Sequence, residues 1–185
     1  MASDHELMIN VRNGDIDKLG ILFERHKKKL FNFFLMSISN RHSSEDLVQD
    51  VFMRILKYRH TYKDNGRFTV WMYGIARNAR IDHYREKCSA PVPLDDTFDV
   101  ENPGPGPEED FERAAETLLL KRALAKLPDE TRELIIMSRY SNMRYSEIAG
   151  ILSCSEGAIK VRMHRAMKDL STLYHKLEGG DNHEM

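Results

Sequence analysis

Between Phe68 and Lys87 the chain carries aromatic rings first (Phe68, Trp71, Tyr73) and cations after them (Arg77, Arg80, Arg85, Lys87). Aromatic faces stack bases and cations track phosphates, so this order suits a strand of nucleic acid. Trp71, Asn78, Asp82 and Arg85 fall along one line of a helix, and an amide such as Asn78 can hydrogen-bond a base edge. Just ahead, Tyr62-Lys63-Asp64-Asn65-Gly66-Arg67 reads as a loop with a turn at Asn65-Gly66. Loop and helix together are expected to hold an unstacked base. The competing reading makes Phe68 and Trp71 simple core residues.

A second constellation runs from Tyr145 to Ala166, where two helical patterns have the spacing of a helix-turn-helix and small Ala149 allows close approach of the helices. Its expected core is Ile148, Leu152, Cys154, Ile159, Met163, Ala166 and Leu170. Gly157, Lys160, Val161, His164 and Lys168 fall on the opposite side of the second helix. That basic face suits the major groove, where Lys160 and Arg165 would reach phosphates or guanine edges and Val161 a thymine methyl. Enzymatic alternatives find little support: His-Glu-x-x-His, a phosphate-cradling glycine loop and Gly-x-Ser-x-Gly are all missing. Asp46 and Asp50 stand one helical turn apart, a spacing open to a metal, but no third ligand is evident. No catalytic residue, metal or cofactor is expected. Cys88 and Cys154 are too few for a disulfide framework, and Cys154 reads as a small core residue.

The elements that position these residues are helices. Asp15 to Ile38 has apolar residues at three- and four-residue intervals, with Asp15 as a possible cap. Ser43-Ser44-Glu45-Asp46 resembles a capping box that opens a helix reaching about His60. Val48, Val51, Phe52 and Ile55 form its buried stripe, and Asp46, Gln49, Asp50, Met53 and Lys57 its other face. A third helix is expected over Phe68–Lys87. In the C-terminal part, Leu118–Leu127 and Asp129–Tyr140 read as support helices ahead of the helix-turn-helix.

Charge separates these groups. The 185 residues carry 28 Lys and Arg against 29 Asp and Glu, a net charge of −1. Met1–Cys88 holds 16 basic and 11 acidic residues, Ser89–Glu116 holds 1 and 9, and Thr117–Met185 holds 11 and 9. The middle block also contains five of the six prolines, so it reads as a flexible acidic linker. At 28 residues such a linker spans roughly 30 Å on average and roughly 90 Å fully extended. The expected fold is all-α: two small helical domains, residues 1–88 and 117–176, joined by the linker 89–116 and followed by a tail, 177–185. No apolar run in the N-terminal third approaches the roughly 20 residues that span a bilayer, and the acidic first residues resemble no secretion signal. A cytoplasmic protein without membrane insertion is expected.

Both domains resemble the two conserved parts of bacterial RNA polymerase sigma factors of the extracytoplasmic-function group. The resemblance rests on Ser44-Glu-Asp-Leu-Val-Gln-Asp-Val-Phe52, on Phe68-Thr-Val-Trp-Met-Tyr-Gly-Ile-Ala-Arg-Asn78 with Asp82-His-Tyr-Arg85, and on Glu147-Ile-Ala149 through Arg165-Ala166. It implies that residues 1–88 form sigma region 2 and residues 117–176 sigma region 4. Asp46, Gln49, Asp50 and Met53 would then dock on core RNA polymerase. Tyr62, Lys63, Asp64, Asn65, Gly66, Arg67 and Phe68, with Trp71, Asn78 and Arg85, would capture a flipped base of the promoter minus-ten element and stabilise the melted strand. Gly157, Ala158, Lys160, Val161, Arg162, His164 and Arg165 would read the minus-thirty-five element. The linker would thread toward the RNA exit path, and an anti-sigma factor would control the protein. Ala158 and Val161 stand where the family often has hydroxyls, and Ser153 where it usually has a glycine. The alternative is a stand-alone helix-turn-helix regulator that uses its first domain to dimerise; the aromatic-then-basic third helix argues against it.

Overall fold

The computed structural model describes the backbone of residues 2–64, 66–89 and 108–181, with side chains over 2–64, 66–86 and 115–179. Asn65, residues 90–107 of the expected linker and residues 182–185 of the expected tail lie outside the described residues. Among the described residues every regular element is helical. The chain divides into two compact units, the first holding its four N-terminal helices and the second the C-terminal ones apart from the end of the short helix that opens the helix-turn-helix.

The first unit opens with a helix that sequence reading misses. α1 (Asp4–Arg12) is started by a capping box: the Ser3 hydroxyl accepts the Glu6 N–H, and the Glu6 carboxylate accepts the Ser3 N–H at 2.7 Å. Those bonds hold the Glu6 carboxyl below its ordinary value. Nine residues make too short a helix to persist alone, and α1 is held by burying Leu7, Met8 and Val11. α2 (Lys18–Ile38) starts beyond Asp15, which does not cap it. Instead Asp15 belongs to the turn after α1, where Gly14 takes φ +111° and the Asp15 N–H donates to the Asn10 carbonyl. Ile16, which falls within the Asp15 to Ile38 pattern but in the turn ahead of α2, lies 47% exposed.

α3 (Arg41–Tyr58) begins before the expected box at Ser43. Asn40 caps it, its side-chain oxygen accepting the Ser43 N–H at 2.8 Å, while buried Ser44 donates to the Asn40 carbonyl. The stripe Val48, Val51, Phe52 and Ile55 is buried as expected, joined by Leu47. After a short 3₁₀ turn at Arg59–Thr61, α4 (Phe68–Ser89) packs on α3 and buries Phe68, Met72, Tyr73, Ala76 and Ala79, with Phe68 and Tyr73 each 5.3 Å from a ring of α2, His26 and Phe33 respectively. Phe33 and Phe34 of α2 complete this core, each such ring contributing about 1.5–3 kcal/mol through burial.

In the second unit α5 (Glu108–Ala125) begins well ahead of Leu118, inside the block read as linker. Pro107 is the last proline before Pro128, and the good helix formers Ala114 and Ala115 follow. α6 (Asp129–Ile135) runs on into a π-helical turn, Ile136–Tyr140. α7 (Tyr145–Ile151) and α8 (Glu156–Asp181) form the helix-turn-helix pair. α8 continues through Gly179-Gly180, past the expected domain end at 176. α5 and α6 both pack on α8, burying Leu124, Leu134, Ile135, Ile159, Met163, Ala166 and Leu170. Leu152 and Cys154, expected in the core, are half-buried because the turn between α7 and α8 carries them to its edge. Ser153 in that turn takes φ +53°, the left-handed conformation in which the resemblance expects a glycine.

Candidate nucleic-acid interface

The loop before α4 is built around Tyr62, whose ring is 2% exposed and packs 5.2 Å from Trp71 and 6.4 Å from Phe68, centroid to centroid. The Tyr62 hydroxyl donates to the Gly66 carbonyl at 2.7 Å, bending the chain back on itself. It also shares a hydrogen bond of 2.9 Å with His5 Nδ1. A phenol has one proton and a carbonyl can only accept, so His5 Nδ1–H must be the donor. Burial, then the charges of Asp4 and Asp64, push the Tyr62 phenol up to about 12, which keeps that proton in place. Arg12 reaches from α1 to the Tyr62 carbonyl at 3.0 Å and to the Asp64 carboxylate at 2.5 Å.

Two buried rings therefore frame the loop. Tyr62 and Phe68 are buried core residues, not open ring faces on which a base could stack. Lys63, Asp64 and Arg67 are exposed, Gly66 and Trp71 partly so. A Cβ on Gly66 would stand 3.2 Å from the Lys63 carbonyl, which is why this tight turn suits a glycine. A cavity of about 370 Å³ lies beside the loop, lined by Asp4, His5, Asp64, Gly66, Arg67 and Phe68 with Thr69. Asp4 is tied to Arg25 and His26, at 2.7 Å each. Burial raises its carboxyl, but those two partners outweigh burial and leave it below its ordinary value.

Asn78 and Arg85 belong to a second cavity of about 470 Å³, which they line with Asp82, Arg54, Tyr58, Ile75 and Ile81. Trp71 sits two turns, about 10 Å, nearer the start of α4 along the same line. The sequence thus aligns Trp71 with Asn78, but the fold gives each its own surroundings. Tyr58, an exposed ring at the end of α3, and Arg54 are the members of this second group that sequence reading missed. Their signal is present only as the i+4 step from Asp50 to Arg54 to Tyr58. Arg54 bridges Asp50 at 2.8 Å and Asp82 at 2.6 Å, joining α3 to α4. Burial works against its charge, and the two carboxylates outweigh that and raise its pKa.

On α3, Asp46 and Gln49 are exposed and Met53 is 65% exposed, a mixed surface as the sequence suggests. Asp50 differs: its carboxylate is half-buried and engaged by Arg54, so it is not simply a wet-face acid. In the second unit, Gly157, Lys160, Val161, His164 and Arg165 are exposed on α8, with Val161 at 53%. Ala158 is partly covered and its N–H donates to the Ser155 hydroxyl. Arg162 turns from the outward face to pair with Glu130 of α6 at 3.0 Å. Among the described residues no group of three or more His, Cys, Asp or Glu is placed to hold a metal.

The chain matches the family described as Sigma-70 region 2 over residues 22–88 and Sigma-70 region 4 over residues 117–170. It is 30% identical over 173 residues to the RNA polymerase sigma factor CarQ of Myxococcus xanthus, covering 92% of this chain and 97% of that protein. The chain belongs to the extracytoplasmic-function RNA polymerase sigma factors. It is also 34% identical to the sigma factor SigF of Caulobacter vibrioides over 73% of each chain. Among solved structures, the fold is that of CnrH, seen in complex with the cytosolic domain of CnrY, at TM-score 0.71 and 22% identity over 94% of this chain and 97% of that one. The sigma factor RpoE of Bartonella quintana, in complex with the anti-sigma factor NepR, has the same fold at TM-score 0.66, 23% identity, and 86% and 96% coverage. As a sigma factor the protein acts in transcription initiation with core RNA polymerase at promoter DNA. Dimerisation as a stand-alone regulator is set aside. No helix among the described residues is long and apolar enough to cross a membrane.

Proposed function

We propose that the two units divide promoter recognition between a melted strand and a duplex. The first, residues 1–88, binds core polymerase through Asp46, Gln49, Asp50 and Met53 and takes a flipped minus-ten base at the loop 62–68. Trp71, Asn78 and Arg85 continue that surface along α4. The second, residues 117–176, lays the exposed side of α8 in the major groove of the minus-thirty-five element. Gly157 and Ala158 permit close approach at its N-terminal end, and Lys160, Val161, Arg162, His164 and Arg165 make the contacts. The acidic, proline-rich segment ahead of α5, the part of 89–116 that precedes Glu108, spans between them, toward the path of the exiting RNA. The protein contributes binding and strand separation, not catalysis, needs no cofactor, and works in the cytoplasm without inserting in a membrane.

The observation that carries this reading is the loop itself: exposed Lys63, Asp64 and Arg67 are mounted on buried Tyr62 and Phe68, beside an aromatic and basic helix. A base leaves its stack at a cost of a few kcal/mol, which such a preformed platform recovers through stacking and hydrogen bonds. An anti-sigma factor holds the protein inactive by covering the Asp46–Met53 face; the complexes formed by CnrH and the Bartonella RpoE support that regulation by fold.

The test separates steps. Asp46→Lys and Met53→Glu should weaken binding to core polymerase by roughly tenfold or more, because both side chains are exposed and neither holds the fold together. Asn78→Ala should leave duplex binding by the holoenzyme intact and slow promoter opening, read by permanganate reactivity of minus-ten thymines. Normal opening by Asn78→Ala would remove that residue from the base-binding surface.

A further inference from the structure

We infer that α1 is a brace for the base-capture loop, with Arg12 as its positioning residue. The inference rests on the base-capture reading above and extends it to a helix that lies ahead of the Sigma-70 region 2 match.

Two residues of α1 converge on one short segment. Arg12 donates to the Tyr62 carbonyl at 3.0 Å and pairs with Asp64 at 2.5 Å, while His5 donates to the Tyr62 hydroxyl, which in turn donates to the Gly66 carbonyl. Between buried Tyr62 and buried Phe68, the described loop residues have no apolar anchor of their own: Lys63, Asp64 and Arg67 are exposed and Gly66 has no side chain. The N–H of Gly66 meets the Lys63 carbonyl at 3.0 Å, which closes the turn but does not fix its direction. The Tyr62 hydroxyl sets that direction from inside the loop, and from α1 the Arg12 guanidinium holds one backbone carbonyl and one carboxylate through a single nitrogen, Nη1. α1 is itself fixed by buried Leu7, Met8 and Val11 and by the ties of Asp4 to Arg25 and His26. Tyr62, Asp64 and Gly66 are therefore held in place before a strand arrives, and the entropy of ordering them is not charged to binding.

The measurement is the affinity of holoenzyme, full chain plus core polymerase, for a fluorescent single-stranded oligonucleotide. Its sequence is the nontemplate minus-ten segment of a promoter that the holoenzyme transcribes. Arg12→Gln should weaken that affinity by roughly tenfold while leaving core-polymerase binding unchanged. Asp64→Asn should weaken it less, and the effect of Arg12→Gln should shrink when Asp64 is already Asn, since the two act through one contact. His5→Leu removes the Tyr62 bond without touching Arg12 and carries the same expectation, should Arg12→Gln also lower thermal stability. Lys63→Glu serves as the control for the underlying reading, because it reverses charge within the loop and leaves α1 alone. If Lys63→Glu weakens oligonucleotide binding but Arg12→Gln and His5→Leu do not, the brace is overturned and base capture stands. If Lys63→Glu also changes nothing, base capture by this loop fails and the brace fails with it.

Discussion

Arg132 ties the start of α6 back to the end of α5 in the second unit. It is 9% exposed, and its guanidinium donates from Nε to the Leu124 carbonyl at 3.0 Å and from Nη2 to the carbonyls of Ala125 and Leu127 at 2.7 and 2.9 Å. The Leu124 and Ala125 carbonyls end α5 and that of Leu127 follows it; Leu124 also accepts the Leu127 N–H at 3.1 Å, and Pro128 has no N–H to offer. Arg132→Met keeps most of the apolar stem and leaves these acceptors without the guanidinium. A hydrogen bond to a charged group is worth about 1.5–3 kcal/mol, and a buried acceptor left alone costs about 1–3 kcal/mol. Such losses do not simply add and water reaches part of the site, so a net destabilisation of about 3–5 kcal/mol is expected. A unit of this size is stable by about 4–10 kcal/mol in total, so the loss removes about half. Arg132→Lys should be intermediate, because an ammonium cannot span the carbonyls as a planar fork does. Urea unfolding followed by circular dichroism measures the loss. Trp71, the one tryptophan of the chain, reports by fluorescence on the first unit alone. A change below 1 kcal/mol in Arg132→Met, at unchanged denaturant dependence, would refute the capping role.

Three further outcomes follow from local geometry. Ser153→Gly should stabilise the second unit by about 1 kcal/mol, seen as a rise of several degrees in its melting temperature, because φ +53° strains a serine and not a glycine. Asp4→Asn should destabilise the first unit at pH 7. Asp4 has a depressed carboxyl pKa, so its contribution is present above the ordinary value of 3.8 and is lost as pH falls through the folded value. Trp71 fluorescence melts should therefore show the gap between Asp4→Asn and the parent narrowing only below about pH 4. Arg165→Ala should weaken minus-thirty-five duplex binding more than Arg162→Ala, because Arg162 is partly committed to Glu130; gel-shift titration of the holoenzyme compares them.

Much of the fold is legible in the sequence because its helices bury one face each. The stripe Val48, Val51, Phe52 and Ile55 and the series Ile159, Met163, Ala166 and Leu170 follow the helical period and are buried as that period requires. Caps are less legible: Asn40 and Ser43 are both good cap residues, and which one acts depends on where the preceding chain leaves α2. α1 is too short for its periodicity to stand out, and only Ser3 and Glu6 mark it. The extension of α5 back to Glu108 is masked by an acidic composition continuous with the proline-rich segment before it.

The site divides in the same way. Exposure of Gly157, Lys160, Val161, His164 and Lys168 is read correctly from the face opposite the core, since it depends only on one helix. Arg162 lies at the margin of that face, and its turn toward Glu130, thirty-two positions earlier, is invisible to any local pattern. Asp50 likewise looks like an exposed acid until α4 brings Asp82 to the far side of Arg54. Tyr62 and Phe68 are aromatic both as scaffold and as stacking surface would require, and only packing distinguishes the two uses.

The most direct test of the account is run-off transcription by purified core polymerase from the source bacterium, with and without this protein, on genomic templates that include its own upstream DNA. Transcripts that start at defined positions and require the protein are predicted. They should fall with Asp46→Lys through lost core binding and with Asn78→Ala through slow opening. If the protein binds core polymerase and yet Asn78→Ala and Lys63→Glu initiate like the parent at every such promoter, strand capture by the loop and α4 is contradicted.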